Sequence, residues 1–542
     1  MIAQVLIVII AAIAVTIFAE RRNIQPPLLI VMVGLAASFL PGLPQLELEP
    51  EIILSLVLPP MLFSAATDFS LISFIKRIGS ILNLGVFLVV ATTFSMAGFA
   101  SWLIPTLGFP VALVLAAVIA PPDAVTAITI GRKAGLPNGL MTVLKGESLI
   151  NDAAALTLFG AAVATVAGTP PFIANLPLYF IYSSVVGIIV GIILGLAVQA
   201  VRTRLDNPSL ATVVSILTPF AAYLVSEELH ASGVIAVVAA GFSLGHNAAQ
   251  IGYEERMQER QFWRTLNTLL ETFVFAYIGL QLRFVIDDAL NTGVSLPTVL
   301  GHAAALLFAV IAVRFAWIYG SSLLGRWRHD GIEARLKHFE PPPGRRFELL
   351  PPFNWKENLV LSWTGMRGVV TLAAATGVPL LTATGDAFPH REIIVVLAFM
   401  VTIGTLLLQG LTLPWLIKRL DVQNPRDHEH EMEQIELARS LARVAAAEAI
   451  DRFLDENLTP GDQRIAEMMR RRATLTTTQK NVDIGFDRDK ALELGQTVLV
   501  ARRKRLIEAR DAMELDDDVV RAFLEQMDLE QAVGDLVQNR PR

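Results

Sequence analysis

The chain has 542 residues, 53% hydrophobic and 17% charged, with a mean hydropathy of +0.54, a composition that marks an integral membrane protein and excludes an ordinary soluble enzyme. It contains no cysteine, which excludes disulfides and thiol chemistry, and its formal charge of −6 is uninformative about partners because the charges are unevenly placed. Of the 94 charged residues, 45 fall between Asp421 and Arg542, so two domains are expected: a transmembrane body over 1–420 and a charged, helix-rich tail over 421–542.

In chain order, thirteen apolar segments are expected, at about 2–19, 26–41, 51–69, 80–104, 110–131, 139–167, 171–201, 208–229, 233–247, 262–289, 295–325, 356–382 and 392–418. The first lacks a basic leader and a small-residue cleavage site, and Glu20-Arg21-Arg22 follows it, so it reads as a helix and not as a signal peptide. Basic residues crowd alternate loops: 20 fall on one side, from Arg21 and Arg22 to Lys418 and Arg419, and only Arg283 and Arg391 on the other. That asymmetry predicts an external N-terminus and a cytoplasmic tail in the cell inner (plasma) membrane. The predicted fold is an all-α polytopic membrane protein whose thirteen helices parse as six, a linker and six, an inverted repeat. The fifth member of each set is interrupted, by Ala120-Pro121-Pro122-Asp123 in one and Thr364-Gly365-Met366-Arg367-Gly368 in the other. Prolines remove backbone donors, and paired breaks of this kind point to a substrate site at mid-membrane.

The segment 139–167 carries charge where lipid penalises it. Glu147 and Asn151 are four apart, as are Ser148 and Asp152, so two polar pairs stack on neighbouring faces of one helix. If the helix enters the membrane near Met141, Asp152 lies about 16 Å deep, near the middle of the bilayer. Arg367 needs a partner, and Glu147, nearer the cytoplasm, is the less costly one, so Glu147–Arg367 is expected as a structural ion pair that leaves Asp152 free to titrate. Asp123 reads either as a cap beside its prolines or as an oxygen ligand near Asp152. Lys145 is expected to snorkel to the cytoplasmic surface. Arg314 and Glu271 are expected to form a structural charge pair between or around themselves, and Glu227 to lie at the outer end of segment eight. No glycine-rich phosphate loop, metal-spaced His/Cys cluster or nucleophile elbow is present, so neither catalysis nor a cofactor is expected.

Gly146-Glu147-Ser148-Leu149-Ile150-Asn151-Asp152 resembles the signature of monovalent cation–proton antiporters of the sodium–proton exchanger group. In the same order as in that group follow Leu58-Pro59-Pro60-Met61-Leu62-Phe63, Pro121-Pro122-Asp123, Ser226-Glu227 through Gly233, Phe275 through Gly279-Leu280, Gly365-Met366-Arg367-Gly368 and Gln409-Gly410-Leu411-Thr412. The resemblance implies a homodimer, with a dimerisation layer and a mobile core of segments 4–6 and 11–13 whose broken helices cross beside the ion site. It implies that Asp152 binds cation and proton alternately, that Asn151 goes with electroneutral exchange, that Glu147 pairs with Arg367, and that Ser148 and Asp123 are neighbours of a bound sodium ion. This chain departs from the group's pattern at Pro122, where a threonine is frequent, at Ser64, where an acid is common, and at Lys145, where no charge is expected. Ser64, Glu227 and Thr364 are accessory candidates.

The expected activity is antiport of sodium, or of lithium or potassium, against protons, one for one, serving cation and pH homeostasis. The alternatives are a potassium–proton antiporter and, from another class, a cation channel or ion sensor on the same fold; no repeated carbonyl filter or ring of acids supports a channel. In the tail, helices are expected at about 430–456, 461–474, 487–513 and 516–533, with a regulatory or dimer-stabilising role. An irregular loop with Pro341-Pro342-Pro343 is expected over 326–355.

Overall fold

The computed structural model describes residues 2–538 except 23, 41–51, 124, 170–171, 174, 206, 249–250, 292, 337–351, 423–424, 457–462, 464–465 and 468–487. Among the described residues the architecture is helical, and eight helices are long and apolar enough to cross a membrane: Ala3–Arg21, Ile78–Leu103, Asn138–Ala167, Leu176–Arg202, Pro208–Glu228, Tyr253–Asn291, Leu296–Trp327 and Arg391–Leu420. Shorter apolar helices fill in between them. Large side chains such as Ile7, Phe87, Ile193 and Phe308 stand exposed on these helices, as a lipid-facing surface requires.

The helices are numbered in chain order. They are α1 (Ile2–Arg21), α2 (Pro26–Ser38), α3 (Leu58–Thr67), α4 (Leu71–Lys76), α5 (Ile78–Leu82), α6 (Leu88–Leu103), α7 (Gly108–Ile119), α8 (Val125–Ala134), α9 (Asn138–Ala167), α10 (Leu176–Arg202) and α11 (Pro208–Glu228). There follow α12 (Gly233–His246), α13 (Tyr253–Asn291), α14 (Leu296–Leu336), α15 (Trp355–Trp363), α16 (Val369–Thr376), α17 (Arg391–Leu420), α18 (Pro425–Glu456), α19 (Arg488–Asp511) and α20 (Asp517–Gln538). π-helical turns at Ile53–Val57 and Asn83–Phe87 lead into α3 and α6.

Small residues set the closest packing. Gly187, Gly191 and Gly195 repeat every fourth position of α10, so they share one face, and any side chain there would strike α12 at Ser232, Ala236 or Ser243. Gly34 of α2 meets Gly279 of α13 backbone to backbone in the same way.

Two segments differ in extent from the sequence reading. α14 continues to Leu336, through the first third of the expected loop, because no proline occurs before Pro341 to stop its hydrogen-bond ladder. α13 begins two turns earlier than expected, with Glu254 and Glu255 in its first turn, where acids complement the helix dipole. The proline cluster, most of the expected 461–474 helix and Arg470–Arg472 lie outside the described residues.

Candidate functional site

Both interrupted segments break where their prolines and glycines fall. α7 stops at Ile119 and α8 starts at Val125; α15 stops at Trp363 and α16 starts at Val369. The breaks touch: the Asp123 backbone N–H donates to the Met366 carbonyl. A Cβ added at Gly368 would collide with the Asp123 carboxylate, so only glycine lets the two breaks approach this closely.

The two breaks leave four helix ends in the bilayer, two with unpaired N–H groups and partial positive charge, two with unpaired carbonyls and partial negative charge. The side chains meet these ends in kind. Asp123 Oδ1 accepts from the Val125 N–H at 2.9 Å at the start of α8, and the Val369 N–H at the start of α16 also reaches this carboxylate. Arg367 Nε donates to Ile119 O at 3.0 Å at the end of α7, and its other nitrogens reach Gly365 O and Ala120 O. Arg314 Nε donates to Leu361 O at 3.0 Å near the end of α15. One acid thus serves two N-termini, and two arginines serve two C-termini.

This arrangement corrects the expected ion pair. Glu147 is held by Arg314, not Arg367: both guanidinium NH₂ groups engage its carboxylate, one at 2.9 Å, in a bidentate pair that is 2% and 1% exposed. The physical reason is the orphaned Ile119 and Gly365 carbonyls, which take the Arg367 donors and leave Glu147 to the arginine on α14. Glu147 and Arg367 remain close enough for their charges to interact. Arg314 thus enters a structural charge pair, as expected, but with Glu147 and not with Glu271. Glu271 instead lies near Asp123 and makes no ion pair among the described residues.

Asp152 sits on α9, buried at 8% exposure, and no hydrogen bond or ion pair from a described residue reaches its carboxylate; the charge that it faces is Asp123. Asn151 spends its amide N–H on the Pro122 carbonyl freed by the break, and its Oδ1 is left buried without a partner. Thr126, in the first turn of α8, also keeps a buried hydroxyl with no partner. Half-buried Ser148 makes no hydrogen bond to a described residue. Carboxylates and neutral oxygens left over in one apolar region are what a hard cation needs once it sheds water.

Of the accessory candidates, Thr364 lies in the second break, and Ser64 and Glu227 lie on α3 and α11. Ser64 is tied to Asn267 of α13 at 2.7 Å, and Thr364 donates to Leu361 O at 3.0 Å. Glu227 lies at the C-terminal end of α11 beside Tyr223 and Gly233. Lys145 points its ammonium at the Phe69 ring, 5.8 Å from the centroid. Sequence reasoning missed the partner of Arg314 and the roles of Thr126 and Asn267. For Arg314 a signal existed, since an arginine inside an apolar segment demands a partner; for the other two, uncharged residues gave none.

Residues 6–419 match the family described as "sodium/hydrogen exchanger, transmembrane". A protein of Mycobacterium bovis named as an uncharacterized Na⁺/H⁺ exchanger is 31% identical over 542 residues, spanning 97% of this chain and 95% of its own. A Bacillus pumilus protein named as a sodium, potassium, lithium and rubidium/H⁺ antiporter is 30% identical over 415 residues, 74% of this chain and 59% of its own. Among solved structures, the sodium proton antiporter of Methanocaldococcus jannaschii has a similar fold, with a TM-score of 0.57 at 17% identity, covering 77% of this chain and 98% of that one.

Proposed function

Because the chain belongs to the sodium/hydrogen exchanger family and is a monovalent cation–proton antiporter, we propose that it exchanges sodium for protons one for one, with Asp152 as the group that both ions contest. The observation that carries this reading is a buried carboxylate with no counter-ion among the described residues, facing a second acid beside crossed helix breaks. A bare charge cannot cross a low-dielectric barrier cheaply, whereas a protonated or cation-bound carboxylate can. The core therefore carries Asp152 across in either neutralised state and stays put when it is empty. Coupling is competition for one pair of oxygens plus a forbidden empty crossing.

Each neighbour has a part. Asp123, already engaged by the starts of α8 and α16, holds the breaks together and lends negative potential to the cation. Ser148, Asn151 Oδ1 and Thr126 supply neutral oxygens that replace lost water. Glu147, Arg314 and Arg367 hold α9, α14 and the two broken segments in register. With Asn151 uncharged, one titrating acid gives an electroneutral count. Thirteen spans in two inverted sets of six, an external N-terminus, a cytoplasmic tail and a homodimer with a moving core complete the reading, in the service of cation and pH homeostasis.

Proteoliposomes loaded with a pH-sensitive dye test it. Addition of sodium should drive proton movement, with lithium and potassium tried alongside it and choline inert, and Asp152→Asn should insert and fold yet exchange nothing. Transport that survives in Asp152→Asn would remove the mechanism.

A further inference from the structure

The tail is attached at two places. Its chain leaves the membrane body at the end of α17, where Asp421 adopts a left-handed turn (φ 46°), and α18, α19 and α20 close on their own apolar cluster of Ala438, Leu506, Ala509, Leu515, Val520 and Met527. The far end of this bundle is gripped by other helices. Asp528 of α20 receives Arg256 of α13 through two hydrogen bonds, one at 2.9 Å, with the side chains 1% and 8% exposed, and Arg503 of α19 adds a third at 2.7 Å. Arg521 donates to Thr67 O at 2.8 Å and Phe69 O at 3.2 Å, carbonyls at the end of α3; Arg510 reaches His246 O at 3.3 Å, at the end of α12. Arginines on helix C-termini are favourable in both geometry and dipole.

These attachments fall on opposite sides of the proposed motion. α17 belongs to the core, whereas α3, α12 and α13 belong to the layer against which the core moves. On the other side the tail makes no buried ion pair among the described residues: Lys76 of α4 meets Asp516, just before α20, at 3.2 Å with both side chains partly exposed, the kind of pair that contributes little, and Asp518 at the start of α20 lies near enough to Lys145 of α9 for their charges to interact. A folded bundle joined covalently to one body, and to the other by a buried ion pair and arginine–carbonyl hydrogen bonds, is strained whenever the two shift.

We propose that the tail is a strap across the moving parts of the antiporter, and that exchange requires its grip on α3, α12 and α13 to let go. This rests on the reading of a core that moves against a fixed layer. The strap would set the fraction of molecules free to cycle, so the rate follows the released population.

Two full-length variants test it in proteoliposomes beside the unaltered protein. Arg256→Gln with Arg521→Ala loosens the grip; it should expose α19 and α20 to trypsin and, if about one molecule in five is normally released, raise the initial cation-driven proton flux up to about fivefold. The second variant, Arg260→Cys with Glu525→Cys, places the chain's sole thiols where the native side chains approach to 3.6 Å, and a cleavable bis-thiosulfonate joins them. The joined protein should lose at least about nine-tenths of its flux, and reductant should restore it.

Equal flux in the joined and reduced forms overturns the strap. So does a loosened tail with unchanged or lower flux, a tail that stays as trypsin-resistant as before, or failure of the cross-link to form. Absence of cation-dependent proton movement in all three proteins overturns the antiport reading itself, and the strap with it.

Discussion

Glu147 is almost sealed from water, and its charge is tolerable because Arg314 meets it with two parallel hydrogen bonds. Removing one member of such a pair strands the other. Arg314→Met should therefore cost about 3–5 kcal/mol of stability. Glu147→Gln with Arg314→Met should recover most of that, because no charge is left uncompensated. Thermal denaturation in detergent checks both. The glutamate's structural role was legible in the sequence because an acid at that depth needs a base. Its partner was not, because depth fixes only one coordinate: Arg314 and Arg367 both reach the level of Glu147, and the choice turns on carbonyls that exist only once both helices have broken. Asp152 was legible for the opposite reason, as an acid whose nearby bases are spoken for.

At the scale of elements, the crossing depends on one missing side chain. Gly368→Ala would push a methyl group into the Asp123 carboxylate, so the breaks must part or Asp123 must leave the two N-termini it serves. Exchange should fall at least about tenfold, since a small misplacement of a site can cost two orders of magnitude in rate, while membrane insertion is retained. Gly301→Ala, on α14 with nothing within 4 Å of the added atom, is the control and should be silent. Flux in proteoliposomes, corrected for inserted protein, reads both. Pro121, Pro122, Gly365 and Gly368 announced these breaks in the sequence because proline and glycine act on the backbone that carries them. The π-helical turn at Asn83–Phe87 had no such herald: an inserted residue is absorbed by neighbouring packing, here where Gly85 lies against Ile150 and Glu147 of α9.

For the whole molecule, the asymmetry of basic loops makes a prediction that the absence of cysteine renders simple to check. Ala383→Cys, in the exposed loop after α16, should react with a membrane-impermeant maleimide in intact cells; Glu436→Cys, on α18 of the tail, should react only after lysis. The reverse pattern would invert the orientation, and labelling of both in intact cells would place the tail outside. The division into an apolar body and a charged tail could be read from composition. The docking of that tail could not, because Arg256 and Asp528 are 272 residues apart and each looks, in the sequence, like an ordinary solvated charge. Only the fold shows that both are buried.

Asn151 has a further consequence. Its nitrogen is committed to the Pro122 carbonyl, so an ionised aspartate at this position would face oxygen with oxygen at the point where α9 meets the break. An acid substituted there keeps the contact to Pro122 only while protonated, as an O–H donor, so its ionisation disturbs the break. A carrier that moved net charge would draw about 2.3 kcal/mol per elementary charge from each 100 mV of membrane voltage. On the one-for-one exchange proposed above, the electrical gradient stays out of reach as a power source, and ion gradients alone set the direction of exchange.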